Sequence, residues 1–208
     1  MTCVVAVVDE HGGIHFGSDS LGSDGHTCTV LSDPKIFQNG EFLMGFSGNF
    51  RLGQLLRYSL TPPPRLEDQD TKEYLCTSFI DSVKQALAHG DYSIGPSLND
   101  DEIDNVSSMR GDFLIGYRTQ IFVIQSDFSL IHAVNDFAGI GSGSESANAV
   151  LYATRNLGLN PIDRLHMALD AAAYQINSVK PPFHFLSLPP EKEVATSKKT
   201  SSKPKIKI

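Results

Sequence analysis

The chain has 208 residues, 40% of them hydrophobic, and a formal net charge of -7. That length and apolar content suit one domain, or one domain with a tail, around a substantial core. The acidity excludes a general binder of nucleic acid or of membrane surfaces, since either needs a basic face to meet phosphates.

The charge is unevenly spread. Residues 191–208 hold six Lys and two Glu, a net +4, which leaves -11 on residues 1–190. The three cysteines, Cys3, Cys28 and Cys76, are an odd number without paired spacing, which favours a reducing compartment over a disulfide framework or a zinc site. The seven His are scattered, so no metal site is assigned and no cofactor is expected. No basic leader with an apolar run opens the chain, and no stretch approaches the ~20 apolar residues that span a bilayer. The expected location is the cytoplasm.

In chain order, Thr2 to Val8 reads as a buried strand, DEHGG at 9–13 as a hairpin turn and Ile14 to Ser18 as the partner strand. Lys35 to Gln38 and Glu41 to Phe46 form a second hairpin, with Asn39-Gly40 suited to the positive φ angles of a type I′ turn. Leu52, Leu55, Leu56 and Leu60 then fit one face of a helix, which Pro62 to Pro64 end. A second helix is predicted from near Asp70 to about His89, burying Tyr74, Leu75, Ser78, Phe79, Val83 and Leu87. The acidic stretch Asn99 to Asp104 reads as an exposed loop. Strands follow at 112–117, 120–125 and 129–134. FAGIGSGSES then turns from strand into a helix that carries Ala147, Val150, Leu151 and Thr154 inward. Asn160-Pro161 opens a further helix to about Ser178, and Phe183 to Leu188 is a final strand.

Antiparallel hairpins interleaved with helix pairs predict an α+β fold of four layers, αββα, in which two stacked antiparallel sheets are flanked by helices. This domain is expected over residues 1–190. Residues 191–208 lack periodicity and aromatics and are expected to form a disordered tail.

The opening MTCVVAVV carries the first chemical signal. If an aminopeptidase removes Met1, Thr2 has a free α-amino group beside its own hydroxyl, which makes a nucleophile with a built-in base. Further along stand FGSDS at 16–20, DPKIF at 33–37 and AGIGSGSESA at 138–147. In their order and their spacing from Thr2, these segments resemble the proteasome β-subunit family and its simpler bacterial relative, the HslV peptidase, within the N-terminal-nucleophile hydrolases. The resemblance covers about residues 2–188.

It implies a threonine endopeptidase in a ring-shaped homo-oligomer, acting on peptides or unfolded proteins, in some systems fed by an ATP-dependent unfoldase. Thr2 matches the nucleophile, Lys35 the lysine beside it, and Asp19 the aspartate that pairs with that lysine. Gly45 matches the glycine whose N–H makes the oxyanion hole. Ser142, or Ser144 in its place, matches the serine near the α-amino group, though either serine also suits an N-cap of the helix that starts there. Three departures stand out: only Asn177 or Ser178 loosely matches the Asp and Ser that many β subunits carry near the site, Ser47-Gly48-Asn49 replaces a GG-containing stretch, and the Lys-rich tail has no family counterpart. Competing readings are an inactive ring subunit or scaffold, an amidase acting on a small amide with the same nucleophile, and a Cys3 nucleophile. The last would also need Thr2 removed, and strand alternation turns Cys3 away from the face that Thr2 uses.

Overall fold

The computed structural model describes residues 2–23, 26–92, 95–99 and 102–190; Met1 and the basic segment 191–208 lie outside the described residues. The β-branched run becomes β1 (Val4–Val8), paired antiparallel with β2 (Ile14–Ser18). Asp9 shapes the turn between them, since its Oδ1 accepts the His11 and Gly13 N–H groups at 2.8 Å each. On its other side β1 pairs with β12 (Phe137–Ile140), and β13 (His184–Leu188) pairs with the outer side of β2. The first sheet therefore runs β12-β1-β2-β13.

The second hairpin is present as β5 (Ile36–Asn39) and β6 (Phe42–Phe46), but its turn is displaced by one residue from the expectation. Asn39 pairs with Phe42, so Gly40 and Glu41 are the central residues, and of these only Gly40 has a positive φ, 59°. A glycine at the first central position is the mark of a II′ turn, not I′. Asn39 instead ties the strand to a helix, as its Nδ2 donates to the carbonyls of Leu56 and Leu60, both at 3.0 Å. Beyond β6 come β9 (Phe113–Tyr117), β10 (Gln120–Ile124) and β11 (Leu130–His132), which complete a second antiparallel sheet of order β11-β10-β9-β6-β5.

Two short ribbons stand apart from the sheets: β3 (Leu21–Ser23) with β4 (Cys28–Val30), and β7 (Gly95–Asn99) with β8 (Glu102–Ser108). The second corrects the loop expected at 99–104, because Asn99 and residues 102–104 are strand residues; positions 100 and 101 lie outside the described residues.

Helix α1 (Phe50–Tyr58) buries Leu52, Leu55 and Leu56, and Leu60 is buried just after it. The long helix is interrupted. α2 (Thr71–Tyr74), N-capped by Asp70, passes through a π-helical turn (Leu75–Phe79) into α3 (Ile80–His89). The widened turn moves the buried stripe on by one residue, so Phe79 and Ile80 follow Leu75 inward while Ser78 is exposed, against the expectation. α4 (Ser144–Ala153) buries Ala147 and Leu151, with Val150 partly buried and Thr154 buried at its C-cap. α5 (Pro161–Gln175) has Asn160 as N-cap and Pro161 in its first turn.

Three apolar clusters set the layers. One lies between the second sheet and α1 to α3, with Phe42, Phe79 and Phe113 among its members. A second joins Val5 and Val7 of β1 to Leu165, Leu169 and Ala172 of α5. The third lies between the sheets, where Val4, Ile14 and Phe16 meet Ile36, Leu43 and Leu114. Alternate residues of β1 thus face different clusters, as the two-residue period requires.

Gly53 lets α1 lie against β6, because a Cβ there would come within 2.2 Å of the Phe46 ring. In an open helix Gly→Ala gains up to about 1 kcal/mol. Gly53→Ala is expected instead to lose about 1–2 kcal/mol in a urea unfolding series, since overpacking a core contact outweighs the propensity gain.

Candidate active site

Thr2 lies just ahead of β1 and is 2% exposed. The turn between β12 and α4 surrounds it. The Thr2 N–H donates to Ser142 Oγ at 3.3 Å, and the Thr2 carbonyl accepts the Gly143 N–H at 3.2 Å. Here the nitrogen is a peptide N–H; after removal of Met1 the α-amino group would take its place. Gly141, with φ 88°, admits the approach, because a Cβ on it would lie 2.3 Å from the Thr2 carbonyl oxygen. The glycines flanking Ser142 are therefore steric requirements of the site, although in the sequence they read only as a turn. The N-cap of α4 is Gly143, with no side-chain cap bond, so neither Ser142 nor Ser144 caps the helix. Ser142 is the serine that meets the Thr2 nitrogen.

Asp19 and Lys35 come together from different sheets. Asp19 follows β2 and Lys35 directly precedes β5, and their side chains are 0% exposed with Nζ 2.7 Å from Oδ1. That oxygen also accepts the Cys3 N–H at 2.9 Å, while Oδ2 accepts the Leu21 N–H at 3.0 Å. The Asp19 N–H in turn donates to the Cys3 carbonyl at 3.1 Å. One carboxylate oxygen thus bridges the ammonium to the peptide unit that joins Thr2 to Cys3. Burial lowers the Lys35 pKa from its usual range, and the Asp19 carboxylate opposes that shift by charge and by hydrogen bond. Burial, reinforced by the Asp19 charge, pushes the Cys3 thiol up to about 12. Cys3 packs in the cluster beneath α5, so its side chain leaves the Thr2 face as strand alternation requires.

Gly45 does not stand where the expectation put it. It is an interior residue of β6, paired with Ile36 on one side and Leu114 on the other. Phe46 N donates to Lys35 O at 3.2 Å and Ser47 N to Asp112 O at 2.9 Å, so alternation directs the Gly45 N–H to Leu114 and into the ladder. A Cβ on Gly45 would meet Val4 at 2.7 Å, which assigns this glycine a packing role between the sheets. The ladder ends at Ser47. Gly48 leaves it with φ 92°, and its N–H makes no backbone bond among the described residues, although Ser47 and Asn49 on either side both donate to backbone carbonyls. Ser47 reaches the site, since its Cβ lies 3.3 Å from the Cβ position of Gly141. Of the loose matches at 177 and 178, Asn177 is exposed, whereas Ser178 is buried with its Oγ unpartnered.

A cavity of about 440 Å³ opens beside Asp33 and Pro34 and is lined by Leu31, Pro34, Phe46, Phe50, Gly53 and Arg57 among others. Another, of about 530 Å³, lies around Asp9, Asp136 and Arg164 at the far end of β1 from Thr2. Among the described residues no group of three His, Cys, Asp or Glu is placed to hold a metal ion, and no helix is long and apolar enough to cross a membrane.

No family model and no curated protein matches the sequence. Solved structures do resemble the fold. Thiobacillus denitrificans BPH, a bacterial proteasome homologue, superposes with a TM-score of 0.73 at 21% identity, covering 91% of this chain and 100% of its own. HslV from Trypanosoma brucei gives 0.61 at 14% identity, covering 90% and 99%. The Gly-1 mutant of Anbu from Hyphomicrobium sp. strain MC1 gives 0.63 at 17%, covering 91% and 82%. All three are proteasome-like N-terminal-nucleophile hydrolases, and this chain has their fold.

Removing the ammonium leaves the Asp19 carboxylate buried without its counter-charge, so Lys35→Met is expected to cost about 3–5 kcal/mol of unfolding free energy. A double-mutant cycle with Asp19→Asn should return a coupling of about 1–3 kcal/mol, because the second change removes the stranded charge.

The pH response follows from the direction of the lysine shift. A lysine whose pKa is lowered by folding binds fewer protons in the native than in the unfolded chain between the two pKa values, so stability rises with pH across that window. Asp19→Asn removes the group that opposes the shift, and NMR of the Lys35 ammonium is expected to show it losing its proton at lower pH than in the unaltered chain.

Proposed function

We propose that the chain is a threonine peptidase of the proteasome and HslV type, with Thr2 as the nucleophile once Met1 has been removed. The observation that carries this reading is the fully buried Lys35–Asp19 pair bonded to the Thr2–Cys3 peptide unit. A folded core has no stability reason to bury an ammonium there, since well-packed apolar residues would serve as well or better. Beside an N-terminal threonine the same cation favours the alkoxide and the neutral amine.

In the proposed reaction the neutral Thr2 α-amino group takes the hydroxyl proton while Oγ bonds to the carbonyl carbon of the scissile peptide. The carbonyl π electrons move to oxygen, and a backbone N–H stabilises that oxyanion. Gly48 is the better candidate for this donor, because its N–H is outside the ladder while that of Gly45 is within it. The tetrahedral centre then expels the amine product, which leaves with the proton carried by the α-amino group. Water, deprotonated by the same amine, then attacks the Thr2 ester carbon; the bond to Oγ breaks, Oγ takes the proton back from the amine, and the acid product leaves. Ser142 holds the amine in place through the contact now made to the Thr2 nitrogen. The cavity beside Pro34 and Phe46 would receive a substrate side chain next to the scissile bond, and its apolar walls suit an apolar or aromatic one.

Ring assembly and an unfoldase partner belong to the same proposal. Its support is the fold shared with HslV and BPH, together with the outer surface of α4 and α5, where Tyr174 is 92% exposed and Met167 is 46% exposed. BPH has been solved in complex with epoxomicin, so that compound is the natural probe for this chain.

Hydrolysis of a fluorogenic peptide by the purified full-length protein tests the reading. Thr2→Ala is expected to abolish turnover, and Lys35→Ala to lower it by at least about 10²-fold. Turnover that persists in Thr2→Ala would assign the activity to another group and overturn the proposal.

A further inference from the structure

We propose that Arg57 is a positioning residue that fixes Lys35 in its place beside Asp19. The consequence for catalysis rests on the peptidase reading above; the geometry does not. β5 is an edge strand of the second sheet. The Lys35 carbonyl turns inward, where it accepts the Phe46 N–H at 3.2 Å. Alternation along the strand therefore turns the carbonyls of Pro34 and Ile36, one on each side of Lys35, outward over the edge. Among the described residues no strand lies there to receive them.

Arg57, in the last turn of α1, occupies that position. Its Nη2 donates to the Pro34 carbonyl and, at 3.4 Å, to the Ile36 carbonyl. The guanidinium also lies over the Phe37 ring, 4.7 Å from its centroid, which restrains its plane. A lysine would offer one compact cation on a flexible stem, without the planar face that stacks on a ring. Pro34 has no N–H, so at that residue the edge offers only its carbonyl.

The bonding runs in both directions. At the far end of β5, Asn39 Nδ2 donates to Leu56 and Leu60 near the end of α1, so the strand holds the helix where the helix does not hold the strand. Lys35 sits at the other end of this frame, restrained by β6 on its inner side and by Arg57 on its outer side. The restraint matters because Nζ stands at the end of a four-carbon stem and must meet a carboxylate 2.7 Å away. Arg57 also lines the cavity that Pro34 and Phe46 border.

The test uses the full-length protein with Arg57→Met, which keeps much of the apolar stem but removes the donors, and Arg57→Lys, which keeps the charge but not the planar fork. Arg155→Met is the control, since Arg155 lies over Tyr152 on α4, away from Thr2. Acylation of Lys35 by a small amine-reactive acyl donor such as acetic anhydride, followed by peptide mapping, reports the clamp without requiring any activity. The rate of the epoxomicin adduct at Thr2 reports the effect on the nucleophile. Arg57→Met is expected to raise Lys35 acylation about 10-fold and to slow the adduct about 10- to 100-fold, as for a group displaced by about 1 Å. Arg57→Lys should fall between, and Arg155→Met should match the unaltered protein in both.

Equal protection of Lys35 in both Arg57 variants would overturn the proposal. So would an exposed Lys35 with an unchanged adduct rate, or a loss that follows the unfolding midpoint alone. An unaltered protein that forms no adduct would overturn the peptidase reading instead, and Lys35 acylation would still decide whether Arg57 holds the lysine.

Discussion

A lysine ammonium and an aspartate carboxylate, both removed from water, meet where the two sheets come together ahead of Thr2. Each charge alone would cost several kcal/mol to bury, and their attraction offsets that only when the geometry is good and the remaining bonds of the carboxylate are made. In this chain they are made: Asp19 takes the Lys35 ammonium and two backbone N–H groups, one of them from the peptide unit that follows Thr2. Much of the surrounding structure can be understood as the means of holding that pair. β2 delivers Asp19, the edge of the second sheet delivers Lys35, and the apolar cluster between the sheets fixes their separation.

The glycine-rich turn between β12 and α4 closes the other side. Gly141 and Gly143 are small because the Thr2 carbonyl and the Cys3 side chain occupy the space their side chains would need. Ser142, held between them, is thereby presented to the Thr2 nitrogen. The same turn starts a helix and shapes the site, which explains why a helix beginning with two nearby serines uses neither as its cap.

Patterns of period and turn chemistry were legible in the sequence. The alternation of β1 and β2, the leucine stripe of α1 and the Asn160-Pro161 start of α5 all follow from local rules, and they were sufficient to imply the layers. Thr2, Asp19, Lys35 and Ser142 were legible as a set only through their order and spacing, since each alone is an ordinary residue. What was not legible depends on contacts between distant segments. Whether the N–H of Gly45 or of Gly48 is available depends on where the β6 ladder stops, which is decided by its pairing with β9. The π-turn within the second helical segment adds one residue without any marker in composition, and it moved Ser78 to the surface. Asn39 resembled a turn residue because its role as a bond to the end of α1 involves chain 17 and 21 residues away. Arg57 gave no signal at all, because a lone arginine on a helix is usually a solvated charge.

Whether Thr2 becomes the reactive N-terminus decides the chemistry of the whole site. Intact mass of the native protein before and after incubation with epoxomicin, followed by peptide mapping, reads this directly. The predicted result is a chain lacking Met1 that gains a single adduct located on Thr2. A chain that keeps Met1 and gains no adduct would contradict it, and would leave the buried lysine and aspartate as parts of a scaffold with the fold and without the chemistry.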